Sequence, residues 1–434
     1  MRTLLLLLTL FASPAIAAEL TGGPLVGWTT HEASRIWVRA DGACEVAVRW
    51  WPEGKPGEAK TTAAVAVDPA LDFTAAVPLE GLAPDALYTY ELVVKGEPVA
   101  TASGGRGPWA FRTLPRPGTG RASLAFGSCV HMGRYPVQPI FDAVAKTPPS
   151  AFVWLGDNSY YSAEDTKDPA LMWARFREQR QNPSMAKLVS TVPQLAQWDD
   201  HDYGPNDSDR GFSLKATSRS IFGAYWPNPS FGEGSEGVYT KASLGPIDLF
   251  LLDDRTFRDP NRVPNGPEKT ILGERQRAWL LESLAASTAP VKVVATGSQF
   301  LARYHAFESW QTARDERERI LDVIKEKRIR GVLFISGDRH LAEVVRYPAE
   351  RVGYALWDVT SSPLANRTFL AGADVANPDR VFIDAKHHNS GWLEVDLEAR
   401  KVRLELRDDA GSTLWSAEPD DLLAPAGEPA PKQF

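Results

Sequence analysis

The feature that most limits this chain is a set of six chemistry-bearing turns, each at the end of a predicted strand, spread over more than two hundred residues. In order they are Gly127-Ser128-Cys129, Gly156-Asp157-Asn158-Ser159-Tyr160, Trp198-Asp199-Asp200-His201-Asp202, Asp253-Asp254-Arg255, Gly297-Ser298-Gln299 and Gly337-Asp338-Arg339-His340. Separate apolar runs that all break into such groups are most economically explained by one parallel sheet whose carboxyl ends assemble a single site. Hard oxygen donors mixed with one thiol, one phenol and one imidazole point to more than one metal ion.

Each turn also has a plainer reading. A Gly-Asp pair at a strand end can be only a turn or a helix cap. This chain has two such pairs, and the second is followed by His340, which favours a site. Cys129 as a thiolate suits iron or zinc. Tyr160 would be ionised near neutral pH only against a cation, a ferric ion being the natural partner; otherwise Tyr160 and Tyr161 are packing aromatics. Three carboxylates around His201, running on to Gly204-Pro205-Asn206-Asp207, would repel one another unless cations or hydrogen bonds compensate, although an exposed acidic turn is the bland alternative. Within that stretch Asn206 offers a neutral oxygen to a hard cation, and His201 could donate a proton to a leaving group or orient an aspartate. Arg255 could clamp a phosphate bidentately or form a salt bridge with Asp253 or Asp254. His131, His387 and His388 carry no assignable role, and His31 and His305 read as structural or exposed.

Residues 1–17 read as a secretory leader: Arg2 starts it, Thr3 to Ala12 form a short apolar stretch, and Ala15-Ile16-Ala17 is a small-x-small cleavage site. The stretch is too short for a membrane span, and no later run approaches that length. A soluble protein, periplasmic or secreted, is expected. The formal net charge of -7 becomes one unit more negative once Arg2 is removed, and there is no basic run, which argues against nucleic-acid binding. The two cysteines are not expected to pair, because Cys44 sits inside an alternating stretch as a small hydrophobe.

Residues 18–113 show short alternating runs, among them Arg35 to Arg39, Glu45 to Trp50 and Leu87 to Val94, which predict an all-β sandwich. Leu82 followed by Tyr88 and Tyr90 has the pattern of a tyrosine corner in immunoglobulin- or fibronectin-like modules. Residues 114–120 read as a linker. From 121 to 418 strands alternate with helical stretches near 137–145, 170–182, 272–286 and 312–327, so the class is α/β with buried, mostly parallel strands. A hairpin is predicted for Gly391 to Leu397 and Lys401 to Leu406, and 419–434 reads as a loosely held tail.

Phe126-Gly127-Ser128-Cys129, Leu155-Gly156-Asp157-Asn158-Ser159-Tyr160-Tyr161, Trp198 to Asp202 with Asn206, and Ser336-Gly337-Asp338-Arg339-His340 together resemble the alkaline phosphatase D (PhoD-like) family of exported metallophosphoesterases. The resemblance implies a four-layer metallophosphatase-like sandwich behind the β module. It also implies hydrolysis of phosphate monoesters or diesters at alkaline pH through a metal-activated hydroxide. Carried over by position, ferric iron (Fe3+) would be held by Cys129, Asp157, Tyr160 and His340. Calcium (Ca2+) would share Asp157 and use Asn206 and Asp338, other divalent metals also being possible. Asp200 and His201 would orient water or protonate the leaving group, and Arg255 would hold the phosphate. The substrate would be a small-molecule or lipid phosphate ester. Two departures stand out: the leader has no Arg-Arg pair, and Tyr203-Gly204-Pro205 is less acidic than the family's spacing. Rival readings are a non-enzymatic surface or glycan-binding protein on a decayed scaffold, and a metal-free two-carboxylate hydrolase such as a glycosidase.

Overall fold

The computed structural model describes residues 18–304, 307–370 and 375–423. The leader-like segment and residues 424–434 therefore lie outside the described residues, as does His305. The alternating N-terminal runs pair as expected. Leu20–Val26, Ala33–Ala40 and Thr74–Glu80 form one sheet, and Trp109–Arg112, Leu87–Val94, Glu45–Pro52 and Lys60–Thr61 form the spine of a second. Val38, Val48, Val77, Tyr90 and Phe111 meet between them. The Ala83 N–H donates to the Tyr88 hydroxyl at 2.8 Å, the back-bond of a tyrosine corner.

After the linker the chain builds two mixed sheets. In the first, Arg121–Gly127, Ala151–Leu155 and Gln194–Gln197 run parallel, while Asn389–Asp396 pairs antiparallel with Arg121–Gly127 and leads through the predicted hairpin to Lys401–Asp408 and Thr413–Ala417. In the second, Ile247–Leu251, Val291–Thr296, Val332–Ser336 and Leu356–Thr360 run parallel, flanked by antiparallel Thr240–Leu244 and Ala342–Tyr347, the latter in turn pairing antiparallel with the edge strand Arg380–Asp384. The expectation of one mostly parallel sheet is corrected here. Consecutive strands joined by short turns pair antiparallel, because a turn of a few residues cannot make a parallel crossover.

Period-two alternation divides the first sheet's contacts. Leu124, Phe126, Val153 and Leu155 face the second sheet's Leu249, Val293 and Leu333, while Ala125, Phe152 and Trp154 pack with Phe141, Leu188 and Phe222 from helices Pro139–Lys146, Pro183–Thr191 and Lys215–Tyr225. The last two helices were not anticipated from sequence. Pro183–Thr191 begins with an Asn182 cap whose side chain accepts the Ser184 N–H, a signal that was present but unread.

The sandwich is tied to the C-terminal half rather than strung from it. Trp37 donates its indole N–H to the Ala224 carbonyl at 2.7 Å, and the Tyr90 hydroxyl donates to the Ser190 carbonyl at 2.8 Å. Asp72 accepts from Arg39 of the sandwich and from Arg177 and Tyr225 of two C-terminal-half helices. The linker residue Leu114 is buried in the two-sheet core. At the other end, Leu422 is fully buried and Asp421 accepts the Ala355 N–H at 2.8 Å, so the expected loose tail is packed down as far as Leu422. Cys44 and Cys129 are both free thiols.

Candidate metal centre

Parallel strands deliver their carboxyl ends to one edge, and the two sheets bring their edges together. The Gly337 N–H donates to the Gly297 carbonyl at 3.0 Å, and the Asp338 N–H donates to Ser128 Oγ at 3.2 Å. Glycine is required where these turns meet. A Cβ on Gly156, whose φ is +97°, would stand 2.4 Å from Asp199 Cβ, and one on Gly337 would stand 2.6 Å from Ser128 Cβ. No L side chain fits either place.

The result is a pair of ligand groups that share one carboxylate. Cys129, Asp157 and His340 place a ligand atom each within 4.8 Å of one another, and so do Asp157, Asp200 and His201. Tyr160 joins the first group: its hydroxyl donates to Asp157 Oδ2 at 2.8 Å and lies 3.3 Å from His340 Nε2. The Cys129 thiol donates to that same Oδ2 at 3.3 Å, and the His201 N–H donates to Asp157 Oδ1 at 3.3 Å. The Tyr160 ring is sandwiched between His201 (centroids 4.3 Å apart) and His131 (4.9 Å).

Four of these residues hold left-handed backbone that only glycine adopts freely: Cys129 (φ 63°), Asp157 (52°), Asp338 (66°) and His340 (55°). Such strain costs about 1–3 kcal/mol per residue and persists only where the surroundings over-determine it. Electrostatics add to it. Burial, together with Asp200, Asp199, Asp202 and Asp338, pushes the Asp157 carboxyl well up. Burial and Asp157 raise both the Cys129 thiol and the Tyr160 phenol. Burial holds His340 down to about 4, against a bond from its ring to the Arg367 backbone, so the imidazole is neutral and able to ligate. Asp200 is the exception: burial opposes ionisation, yet His201, Arg255 and the Asp207 N–H at 2.8 Å hold it down to about 2. Among the described residues, Asp199 Oδ2 and Asp200 Oδ1 are buried without a hydrogen-bond partner. Softer thiol, phenol and imidazole on one side of Asp157 and orphaned carboxylate oxygens on the other form a donor set that suits two dissimilar cations.

The remaining acidic side chains have structural work. Asp202 accepts the Asn158, Ser159 and Asp199 N–H groups at 2.9, 3.1 and 3.1 Å, pinning the Tyr160 turn to the short helix Asp200–Tyr203. Asp253 accepts the Trp198 indole N–H at 2.7 Å, and Asp254 accepts the Gly297 N–H at 2.9 Å.

Arg255 departs from the sequence reading. It is fully buried, with Nε on Asp199 at 2.5 Å and Nη2 on Glu308 at 2.7 Å, so it faces neither solvent nor Asp253 and Asp254 as an ion partner. A guanidinium enclosed by two carboxylates is satisfied where it stands and has no open face for a phosphate. Glu308, which also pairs with Arg258 at 3.0 Å, gave no sequence signal because its role depends on contacts across the fold. Asn206 sits on an exposed loop, its side chain without a hydrogen bond among the described residues, and the neighbouring Asp207 N–H reaches Asp200. Asp338 is outside both three-residue groups; burial raises it to about 7, Arg339 opposing and Asp200 and Glu308 reinforcing the rise. His387 pairs with Asp384 at 3.1 Å, and His388 meets the Asn366 carbonyl at 2.9 Å; neither belongs to either ligand group.

Known proteins share this architecture. A solved structure of PhoD superposes with a TM-score of 0.77 over 94% of this chain and 90% of its own at 17% identity. Purple acid phosphatase PPD1 from yellow lupin (Lupinus luteus) seeds superposes with a TM-score of 0.65 over 93% and 74% at 14% identity. Alkaline phosphatase D of Bacillus subtilis (strain 168) is 25% identical over 327 residues, 63% of this chain and 54% of that protein, so the match spans about half of the relative's length. The model of a domain of unknown function (DUF7800) matches residues 17–110. The model of the PhoD-like phosphatase matches residues 124–410; with well over half of its length inside that match, the chain belongs to the PhoD-like phosphatase family.

Proposed function

We propose that the protein is an exported metal-dependent phosphoesterase that hydrolyses phosphate monoesters or diesters at alkaline pH. The observation that carries this reading is the sharing of Asp157 by two ligand groups of unlike chemistry. Cys129, Asp157, Tyr160 and His340 would hold a ferric ion. Asp157 with Asp200 would hold a harder cation such as calcium, Asp338 and Asn206 completing its oxygen set from either flank. Bound there, such cations supply Lewis acidity that neutralises phosphoryl oxygens and lowers the pKa of water.

The protein's own groups do the rest. Asp157, fixed by Tyr160, Cys129 and the His201 N–H, sets the spacing of the two halves of the site. Asp200 stays ionised through His201 and Arg255, so its charge is available at any working pH. His201, half-exposed beside Tyr160, would give a proton to the departing ester oxygen as the P–O bond to it breaks and water's oxygen bonds to phosphorus, the proton water loses passing to solvent, from which the imidazole is reprotonated. Export rests on the leader-like sequence at residues 1–17; among the described residues no helix is long and apolar enough to cross a membrane.

The test combines elemental analysis of the purified protein with hydrolysis of p-nitrophenyl phosphate and bis(p-nitrophenyl) phosphate before and after a strong chelator. Expected are bound iron plus a second metal, activity abolished by chelation and restored by metal, and a rate maximum above neutrality. Activity that survives complete metal removal refutes the reading, as does a maximum on the acid side.

A further inference from the structure

We infer that a half-buried aromatic platform beside His340 forms a substrate subsite for a flat, apolar substituent of the phosphate ester; this deepens the proposed phosphoesterase reading and rests on it. The platform is built from the site outward. The loop at 366–370 is latched to His340 through the Phe369 N–H, which donates to the His340 carbonyl at 2.8 Å. Phe369 stands edge-on to Phe307 with ring centroids 5.4 Å apart. Phe307 in turn lies under the guanidinium of Arg339, 3.8 Å from its ring centroid. Arg339 is the residue between Asp338 and His340, and its Nε donates to the Tyr304 hydroxyl at 3.1 Å.

Two features mark this as a surface made to receive something. Phe307 and Phe369 are only half-buried, whereas the aromatic residues around them, Tyr304 and Trp310, are buried. Leu370 is 61% exposed and Arg367 is exposed beside it, so the rim combines apolar area with a cation that has no hydrogen-bonded acid among the described residues. A phosphate held at the ligand groups must direct its organic part away from the buried carboxylates. The loop bonded to the His340 backbone carries Phe369, and Arg339, the residue before His340, lies over Phe307, so the aromatic pair is anchored next to a proposed ligand. Edge-to-face pairs such as Phe307 and Phe369 accept a third ring readily, because aromatic rings attract one another beyond the apolar area they bury. Arg339 acts here as a positioning residue: stacked on one face of Phe307, it holds the ring upright.

The measurement is calorimetric binding of phenylphosphonate and methylphosphonate to the metal-loaded protein. The two share one anion, resist hydrolysis and differ in the organic group. The expected result is phenylphosphonate binding about tenfold tighter, with the preference lost in Phe307→Ala and Phe369→Ala while methylphosphonate affinity stays constant. Phe369→Leu keeps the volume without the ring and guards against a misfolded alanine variant; it should retain methylphosphonate binding and lose most of the preference. Equal affinities in the unmodified protein, no binding of either phosphonate, or a preference that survives in both phenylalanine variants overturns the subsite. Hydrolysis is scored separately, so a protein that turns over no ester yet shows the preference loses the proposed reaction and keeps the subsite.

Discussion

Replacing Asp72 with asparagine should cost about 3 kcal/mol of stability, the low end for removing one partner of a buried ion pair. The structure supplies the reason. Asp72 is 9% exposed and takes two N–H bonds from Arg39, two from Arg177 and the Tyr225 hydroxyl. Arg39 is 8% exposed and loses its counter-charge entirely, while Arg177 is 37% exposed and can turn to water, which limits the penalty. The same carboxylate gives a pH test. Burial opposes its charge, but Arg39, Arg177 and Tyr225 prevail and hold the pKa down to about 2 from 3.8. That drop corresponds to about 2.5 kcal/mol at 1.36 kcal/mol per unit, which solvent reach along Arg177 reduces to about 1–2 kcal/mol. Because the folded-state pKa is the lower one, the contribution is complete above the unfolded value of 3.8 and is lost as pH falls through about 2. Urea unfolding of wild type and Asp72→Asn should therefore show a gap that is constant from pH 7 to 5 and narrows toward pH 2. A gap below about 0.5 kcal/mol at pH 7 would refute the idea that this carboxylate fastens the sandwich to the helices at Pro169–Arg180 and Lys215–Tyr225.

Arg255→Met should destabilise the fold by about 3–5 kcal/mol, since it strands the Asp199 and Glu308 carboxylates in the interior; an unchanged unfolding curve with only a raised KM would return Arg255 to the substrate. Gly156→Ala should cost about 3 kcal/mol or more, because φ +97° and a Cβ 2.4 Å from Asp199 Cβ leave no room to relax; thermal denaturation within a degree of wild type would show that the strand ends can separate. Tyr160→Phe should abolish any visible phenolate-to-iron charge-transfer band and weaken metal retention by about tenfold or more. An unaltered spectrum would remove Tyr160 from the ligand set.

The order of the turns along the chain was enough to nominate the site, because strand-terminal Gly-Asp, Gly-Ser-Cys and Asp-Asp-His segments follow apolar runs whose period is visible locally. The tyrosine corner, the closing hairpin and four helices of the C-terminal half were legible for the same reason: each is written in residues a few positions apart. What tertiary structure alone decided was how acidic residues of one type divide their labour. Asp199, Asp200 and Asp202 lie within four consecutive residues, yet one meets a buried arginine, one joins Asp157 and His201, and one ties down three N–H groups. Arg255 looked like a phosphate clamp because its partner Glu308 lies 53 residues away. The left-handed backbone at Cys129, Asp157, Asp338 and His340 was equally hidden, since non-glycine residues accept it only when packing from both sheets imposes it. Charge and polarity are properties of a residue, whereas burial and partnership belong to the assembled fold, and it is those two that set a carboxylate's role.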